Sequence, residues 1–181
     1  VMAELSRYYG LPVFGTAGAT DSKVVDAQSG FEKTITGILP ALAGANVIYG
    51  SGMLEMGITF DLTQLVMDHE FARMMLHSLQ GIPVNDETLA VDIIQEIGIG
   101  KNFLSHDATF NHMRSQSQPK LIDRRMREEW VDAGSTDIYA RTSEEARRIL
   151  ETHKHEPLPD NVLATMRSIV EEAEKELGVY D

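Results

Sequence analysis

The chain has no cysteine, which excludes disulfides, thiolate nucleophiles and cysteine-ligated zinc. That absence fits a reducing compartment, and the expected location is the cytoplasm. No apolar run comes near the ~20 residues that cross a bilayer, and no charged, then apolar leader is present, so no membrane partner is expected. Positive charge is scarce. Sixteen Lys and Arg stand against 28 Asp and Glu, a net charge of −12. Phosphate backbones need clustered cations, so nucleic acid is excluded as a broad-surface partner. The one cationic cluster, Arg124, Arg125 and Arg127, runs straight into Glu128 and Glu129 and reads as a solvated, self-paired face.

Metal-ligand patterns are missing as well. His106, Asp107 and His112 come nearest to a ligand cluster, but a spacing of six does not bring both histidines onto one helix face. No metal site is expected. His69 falls on an apolar helical stripe and reads as a packed, hydrogen-bonded histidine. No Ser/His/Asp arrangement can be assembled, so catalytic residues remain unassigned.

What is present is the material of a folded domain. Over 181 residues, 43% are hydrophobic and 24% charged, the balance of a soluble globular chain with a core. Two short β-rich runs, Pro12–Phe14 and Asn46–Tyr49, each end in a glycine-spaced turn: Gly15-Thr16-Ala17-Gly18 and Gly50-Ser51-Gly52. A helical pattern follows each turn. Strand, small-residue turn and helix, repeated once, predict successive units of a parallel α/β fold. Ligands of such folds sit at the C-terminal ends of the strands, where these turns lie. The chain opens at Val1 inside a helical pattern, so the expectation is a chain cut from a longer one, with earlier units missing.

The remaining elements follow from caps and periodicity. Val1–Tyr9 predicts a helix tail stopped by Gly10. Thr20 and Asp21 are expected to cap a helix that runs to Gly44 with a kink or break near Pro40. Asp61 caps a helix whose apolar stripe is Leu62, Leu65, Val66, Ala72, Leu76 and Leu79. Asn85 and Asp86 cap the next, which runs through Ile97 to Gly98. From Gly100 to Gly134 the spacing is irregular and predicts a helical wrap over a neighbouring surface. Thr142 and Glu145 read as a capping box for helix 143–153, and Asp160 as the cap of a last amphipathic helix.

Candidate binding residues gather at the two turns. Gly15–Gly18 before a helix could cradle phosphate, yet it matches neither the P-loop nor the dinucleotide fingerprint, and glycine serves a tight turn equally well. Phe14 and Tyr49 end their strands, where aromatic faces can hold a quaternary ammonium, or simply pack in the core. Asp21 and Glu55 are carboxylates at the same edge, the first also readable as a helix cap and the second as a solvated loop residue. The candidate substrate-binding set is Phe14, Gly15, Thr16, Asp21, Tyr49, Gly50, Ser51 and Glu55.

Several strings together resemble the C-terminal part of the trimethylamine:corrinoid methyltransferase family. They are Gly15 to Lys23 (GTAGATDSK), Ala43 to Gly52 (AGANVIYGSG) with Leu54-Glu55, and Val84 to Ala90 (VNDETLA). Phe103 to His106 (FLSH), Pro119 to Arg124 (PKLIDR) and the terminal helix after Leu158 and Pro159 complete the match. The resemblance implies an α/β fold: the last strands and helices of a (β/α)8 TIM-type barrel over 1–84, with a helical extension over 85–181 wrapping it. It implies methyl transfer from a methylated amine to the cobalt of a cognate corrinoid protein, with the corrinoid carried by that partner and no cofactor bound directly.

Founding members of the family carry pyrrolysine, which no letter here represents. Either that position lies outside this chain, or the chain is similar to the relatives without it, which act on quaternary amines such as betaines. A quaternary nitrogen is already charged, so its demethylation releases a neutral amine and needs no general acid. The enzyme then has mainly to orient the methyl group and hold the cation. In this reading the glycines leave room for the partner and the methylammonium head, and the assembly is expected to be a homo-oligomer. A barrel lyase with phosphate at Gly15–Gly18 and a non-catalytic docking module for a corrinoid protein are the alternatives.

Overall fold

A computed structural model describes residues 1–15 and 17–179, in two compact units, Val1–Arg148 and Ile149–Asp181. The architecture is mixed α/β and mostly helical, with little sheet. Helix α1 (Met2–Tyr8) leads to strand β1 (Phe14–Gly15), helix α2 (Ala27–Leu42) and strand β2 (Val47–Ile48). β1 and β2 pair in parallel, Phe14 opposite Val47 and Gly15 opposite Ile48. The expected β–α–β unit is therefore real, although its strands are shorter than the sequence runs that foretold them. Asn46 extends the pairing with its side chain, whose Oδ1 accepts from the Val13 N–H at 2.8 Å.

The second β/α connection holds an antiparallel hairpin that periodicity did not foretell, β3 (Met53–Leu54) and β4 (Thr59–Phe60). Its tip is tight. Glu55 and Met56 both take left-handed backbone conformations, φ 50 and 55, followed by Gly57 at φ 93. Two successive non-glycine residues there store strain that must be held by surrounding contacts. Helix α3 (Leu62–Leu79) then starts at Asp61, whose carboxylate accepts from the Gln64 N–H at 2.7 Å, as expected of a cap.

Several boundaries differ from expectation. Helix α2 is capped by Asp26, not by Thr20 or Asp21. Asp26 and Ser29 form a reciprocal capping box, so the helix begins six residues after Asp21. Pro40 lies inside α2, which continues unbroken to Leu42. The helix capped by Asn85 is interrupted: α4 (Asp86–Leu89) and α5 (Val91–Ile97) are separated by Ala90 at φ 52. Helices α6 (Asp107–His112) and α7 (Arg127–Asp132) lie within the irregular stretch. That stretch does reach a neighbouring surface. The buried Glu70 of α3 accepts from the backbone N–H of Lys120 at 2.6 Å and of Leu121 at 3.2 Å.

Helix α8 (Ile138–Thr152) starts before the supposed capping box. Asp137 accepts from the Ala140 N–H at 2.8 Å, while Thr142 bonds back to the Ile138 carbonyl and Glu145 pairs with Arg148. In the second unit, α9 (Asp160–Leu177) begins at Pro159 without a side-chain cap. Among the described residues no helix is long and apolar enough to cross a membrane.

Burial inverts the usual amphipathic pattern. On α2 the buried residues are Ser29, Lys33, Gly37 and Ala41, a strict four-residue stripe that lies on one face. On α3 they are Thr63, Gln64, Met67, Asp68 and Glu70. The apolar stripe foretold for α3 is exposed in part, with Leu62, Leu65, Leu76 and Leu79 all more than a third accessible. His69 is likewise exposed and not packed. The two helices meet through their polar and small faces, and turn apolar side chains such as Phe31 and Leu39 outward.

Candidate functional site

The two glycine turns lie side by side at the C-terminal ends of β1 and β2. The Gly50 N–H donates to the Ala17 carbonyl at 2.9 Å. A Cβ at Gly50 would lie 2.6 Å from Ala17 O and from Gly18 C and O, so only glycine permits this approach. A Cβ at Gly52 would strike Phe60 Cε2 at 2.6 Å, and its φ of +78 also favours glycine. These two glycines make room for the chain itself. Gly15 differs: a Cβ there would meet only Val13 Cγ1 at 3.9 Å.

One face of α2 grips the first turn. Glu32 Oε2 accepts from the Thr20 hydroxyl at 2.6 Å and the Asp21 N–H at 2.8 Å, and the Thr36 hydroxyl donates to the Ala19 carbonyl at 2.9 Å. Between them, Lys33 joins both turns. Its ammonium donates to Gly18 O at 3.0 Å, Gly50 O at 2.9 Å and Asp68 Oδ2 at 2.8 Å, using all three protons. Lys33 is 1% exposed and Asp68 6%. Asp68 also accepts from the Gly52 N–H at 2.7 Å and, at Oδ1, from the Gln64 amide at 2.7 Å. Burial pushes the Asp68 carboxyl above its ordinary value, only partly offset by Lys33, Gly52 and Gln64. Gln64 Oε1 is buried with no hydrogen-bond partner among the described residues.

Local sequence patterns did not single out Lys33 and Asp68. Their 35-residue separation hides the pairing, but a signal existed. Ser29, Gly37 and Ala41 fall on a four-residue repeat of small side chains, marking a face built for close approach, and Lys33 sits on it.

The sequence-derived candidates fall around this core. Phe14 and Tyr49 come together as a stacked pair, ring centroids 4.7 Å apart and planes 15° from parallel. Nothing fits between them, so a cation would meet an outer face, and Phe14 is 68% exposed. The hairpin tip docks on the first turn: the Glu55 N–H donates to Ser22 O and the Met56 N–H to Thr20 O, both at 2.9 Å. These bonds bracket Asp21, which is exposed, so Asp21 and Glu55 share one rim. Glu55 Oε2 accepts from the Thr59 hydroxyl at 3.2 Å. Gly50 is buried, Gly15 and Ser51 are half-buried, and Thr16 lies outside the described residues.

The other candidate groups do not join this rim. His106 pairs with Glu96 at 3.8 Å and His112 separately with Glu87 at 3.3 Å. Among the described residues no group of three or more His, Cys, Asp or Glu could hold a metal ion. Within the cationic cluster Arg125 pairs with Asp123, and Glu129 adds a lesser electrostatic attraction. Arg125 holds the Asp123 carboxyl down to about 2, and Arg124 donates to Ser117. The α2 N-terminus is closed by the Asp26–Ser29 capping box and begins well after Gly18 in the chain.

Glu32 makes the first turn acid-sensitive. Its hydrogen bond from the Thr20 hydroxyl, then those from the Asp21 N–H and the Gln28 amide, hold its carboxyl below the ordinary 4.5. A lowered folded value means the stabilisation is complete above 4.5 and is lost as pH falls through that lower value. Glu32→Gln is therefore expected to melt below the wild type at neutral pH, with the gap closing as pH drops through that lowered value. A gap that stays constant across this range would remove Glu32 from the role.

The family described as Trimethylamine methyltransferase (MTTB) matches residues 1–178. Among curated relatives, a trimethylamine methyltransferase of Desulfitobacterium hafniense (strain DSM 10664 / DCB-2) is 56% identical over 178 residues, covering 98% of this chain and 36% of the relative. A trimethylamine methyltransferase of Methanosarcina mazei is 47% identical over 174 residues, covering 96% and 35%. The glycine betaine methyltransferase of Desulfitobacterium hafniense (strain Y51) is 31% identical over 178 residues, covering 97% and 37%. The chain thus spans little more than a third of the length of these relatives. With both glycine turns and the strand pair inside the matched region, the chain belongs to the trimethylamine methyltransferase family.

Proposed function

We propose that the chain forms part of an enzyme that moves a methyl group from a methylated amine to the cobalt of a cognate corrinoid protein. Residues 1–84 would supply late β/α units of a (β/α)8 barrel, and 85–181 its helical extension. Family membership over residues 1–178 carries the reading. The parallel β1–α2–β2 unit supports the barrel, as do the outward apolar side chains of α2 and α3, which a barrel would cover.

The relatives' names mention trimethylamine and glycine betaine. Both compounds carry a trimethylated nitrogen, so that head group is the proposed recognition element. Asp21 and Glu55 on one rim would attract it, and an outer face of the Phe14–Tyr49 stack would hold it. Held there, a methyl group points out from the strand ends toward an approaching partner. The partner-borne corrinoid supplies the cobalt nucleophile that accepts the methyl group; this chain's residues bind and orient the amine.

Isothermal titration with trimethylamine, glycine betaine and inorganic phosphate tests the reading. Binding of a methylated amine is expected, with phosphate silent. Tyr49→Ala should weaken it by about 0.5–2 kcal/mol, the worth of one cation–π contact. Phosphate binding without an amine response would favour the lyase alternative. Capture of a corrinoid protein without any amine response would favour the docking module.

A further inference from the structure

We propose that Lys33 is a positioning residue for the amine rim, its buried ammonium latching the two glycine turns at one fixed spacing. The purpose of the rim rests on the amine reading; the latch rests on the Lys33 geometry alone.

Three features make Lys33 a latch and not a nucleophile. All three ammonium protons are committed, to Gly18 O, Gly50 O and Asp68 Oδ2. The side chain is buried, so no free position remains for a reacting group. The three acceptors also come from three separate elements: the turn after β1, the turn after β2, and helix α3. Asp68 completes the connection by gripping the second turn from its far side through the Gly52 N–H.

The rim depends on this spacing twice over. Tyr49 precedes Gly50 and Phe14 precedes the first turn, so the distance between turns sets how the two rings stack. Glu55 and Met56 reach the first turn from the hairpin that follows Gly52, so the same distance sets whether Glu55 stands beside Asp21. Those two backbone bonds tie the strained left-handed tip at Glu55 and Met56 to the first turn. Removing Lys33 would release the spacing, and with it both halves of the rim.

Lys33→Met alone leaves Asp68 buried and unpaired, and loss of folding would obscure its role. Lys33→Met/Asp68→Asn removes both charges at similar volume. The introduced amide can still accept from the Gly52 N–H through its oxygen. A turned Gln64 side chain would accept from its NH2, giving Gln64 Oε1 the partner it lacks. Amide hydrogen exchange and amine titration are then measured on wild type and double variant. The double variant is expected to keep helix protection in α2 and α8. Exchange at Gly50, Glu55 and Met56 should rise together by about tenfold or more, and amine affinity should fall by about tenfold.

Unchanged exchange at those three amides overturns the latch, whether or not amine binds. Loosened turns with wild-type affinity overturn the positioning role. A wild-type chain that binds no amine, with the turns loosened as expected, removes the amine reading and leaves the latch standing.

Discussion

Asp68→Ala is expected to destabilise the first unit by about 3–5 kcal/mol, because it strands the Lys33 ammonium in a buried site. The loss is of one partner in a desolvated pair, not of the pair as a whole. Gly52 would lose the acceptor of its N–H and Gln64 the acceptor of its amide at the same time. Burial raises the Asp68 carboxyl, so its charge is costly, and Lys33, with Gly52 and Gln64, offsets part of that cost. Against a typical domain stability of about 5–15 kcal/mol, such a loss would leave little margin at physiological temperature. Urea unfolding monitored at the single Trp130 reads it directly. A variant within about 1 kcal/mol of wild type would mean that water enters the site and relieves the charge.

Gly50→Ala should be nearly as damaging, for a different reason. Its Cβ would lie 2.6 Å from three backbone atoms of the first turn, and backbone cannot swing aside as a side chain can. The turns must part, at about 1–3 kcal/mol of overpacking before any hydrogen bond is counted. Parting them stretches the Gly50 N–H bond to Ala17 O and both Lys33 bonds to the turns. Gly30→Ala is the matched control. No atom lies within 4 Å of its Cβ position and it sits in the first turns of α2, so about 0.5–1 kcal/mol of stabilisation is expected from reduced chain entropy. If both variants unfold at the same urea concentration, the close approach of the turns is not what glycine serves at position 50.

Local sequence conveys some of these contacts and not others. Asp61 was legible as a cap, since a carboxylate before an apolar helical run has one local use, and the Gln64 N–H sits three residues away. Asp21 was misread by the same logic. Its neighbourhood offers a helix start, but Glu32 accepts from the Asp21 N–H eleven residues upstream and from the Thr20 hydroxyl, and Asp26 caps instead. Thr142 and Glu145 matched a capping box in spacing, yet Asp137 opens that helix earlier and leaves them within it. His69 stood on an apolar stripe that faces outward here, because α3 buries its polar side against α2.

By itself the sequence determined the family, through strings spread over nearly the whole chain. It also determined the parallel β–α–β unit, through glycine turns after β-rich runs, and the exclusion of thiol chemistry. Those properties are local or compositional, and each is written in consecutive residues. The tertiary structure alone decided which faces of α2 and α3 are buried and which carboxylate caps α2. It also decided that Phe14 and Tyr49 stack on one another, and that one lysine holds both turns to Asp68. The cap turns on Glu32 holding Asp21 from eleven residues away; the rest depend on desolvation and on contacts 15 to 35 residues apart in the chain, where no pattern of neighbours records the partner. The glycine turns announce an edge in the sequence; the spacing of that edge is set by a buried ammonium that only the folded chain brings to it.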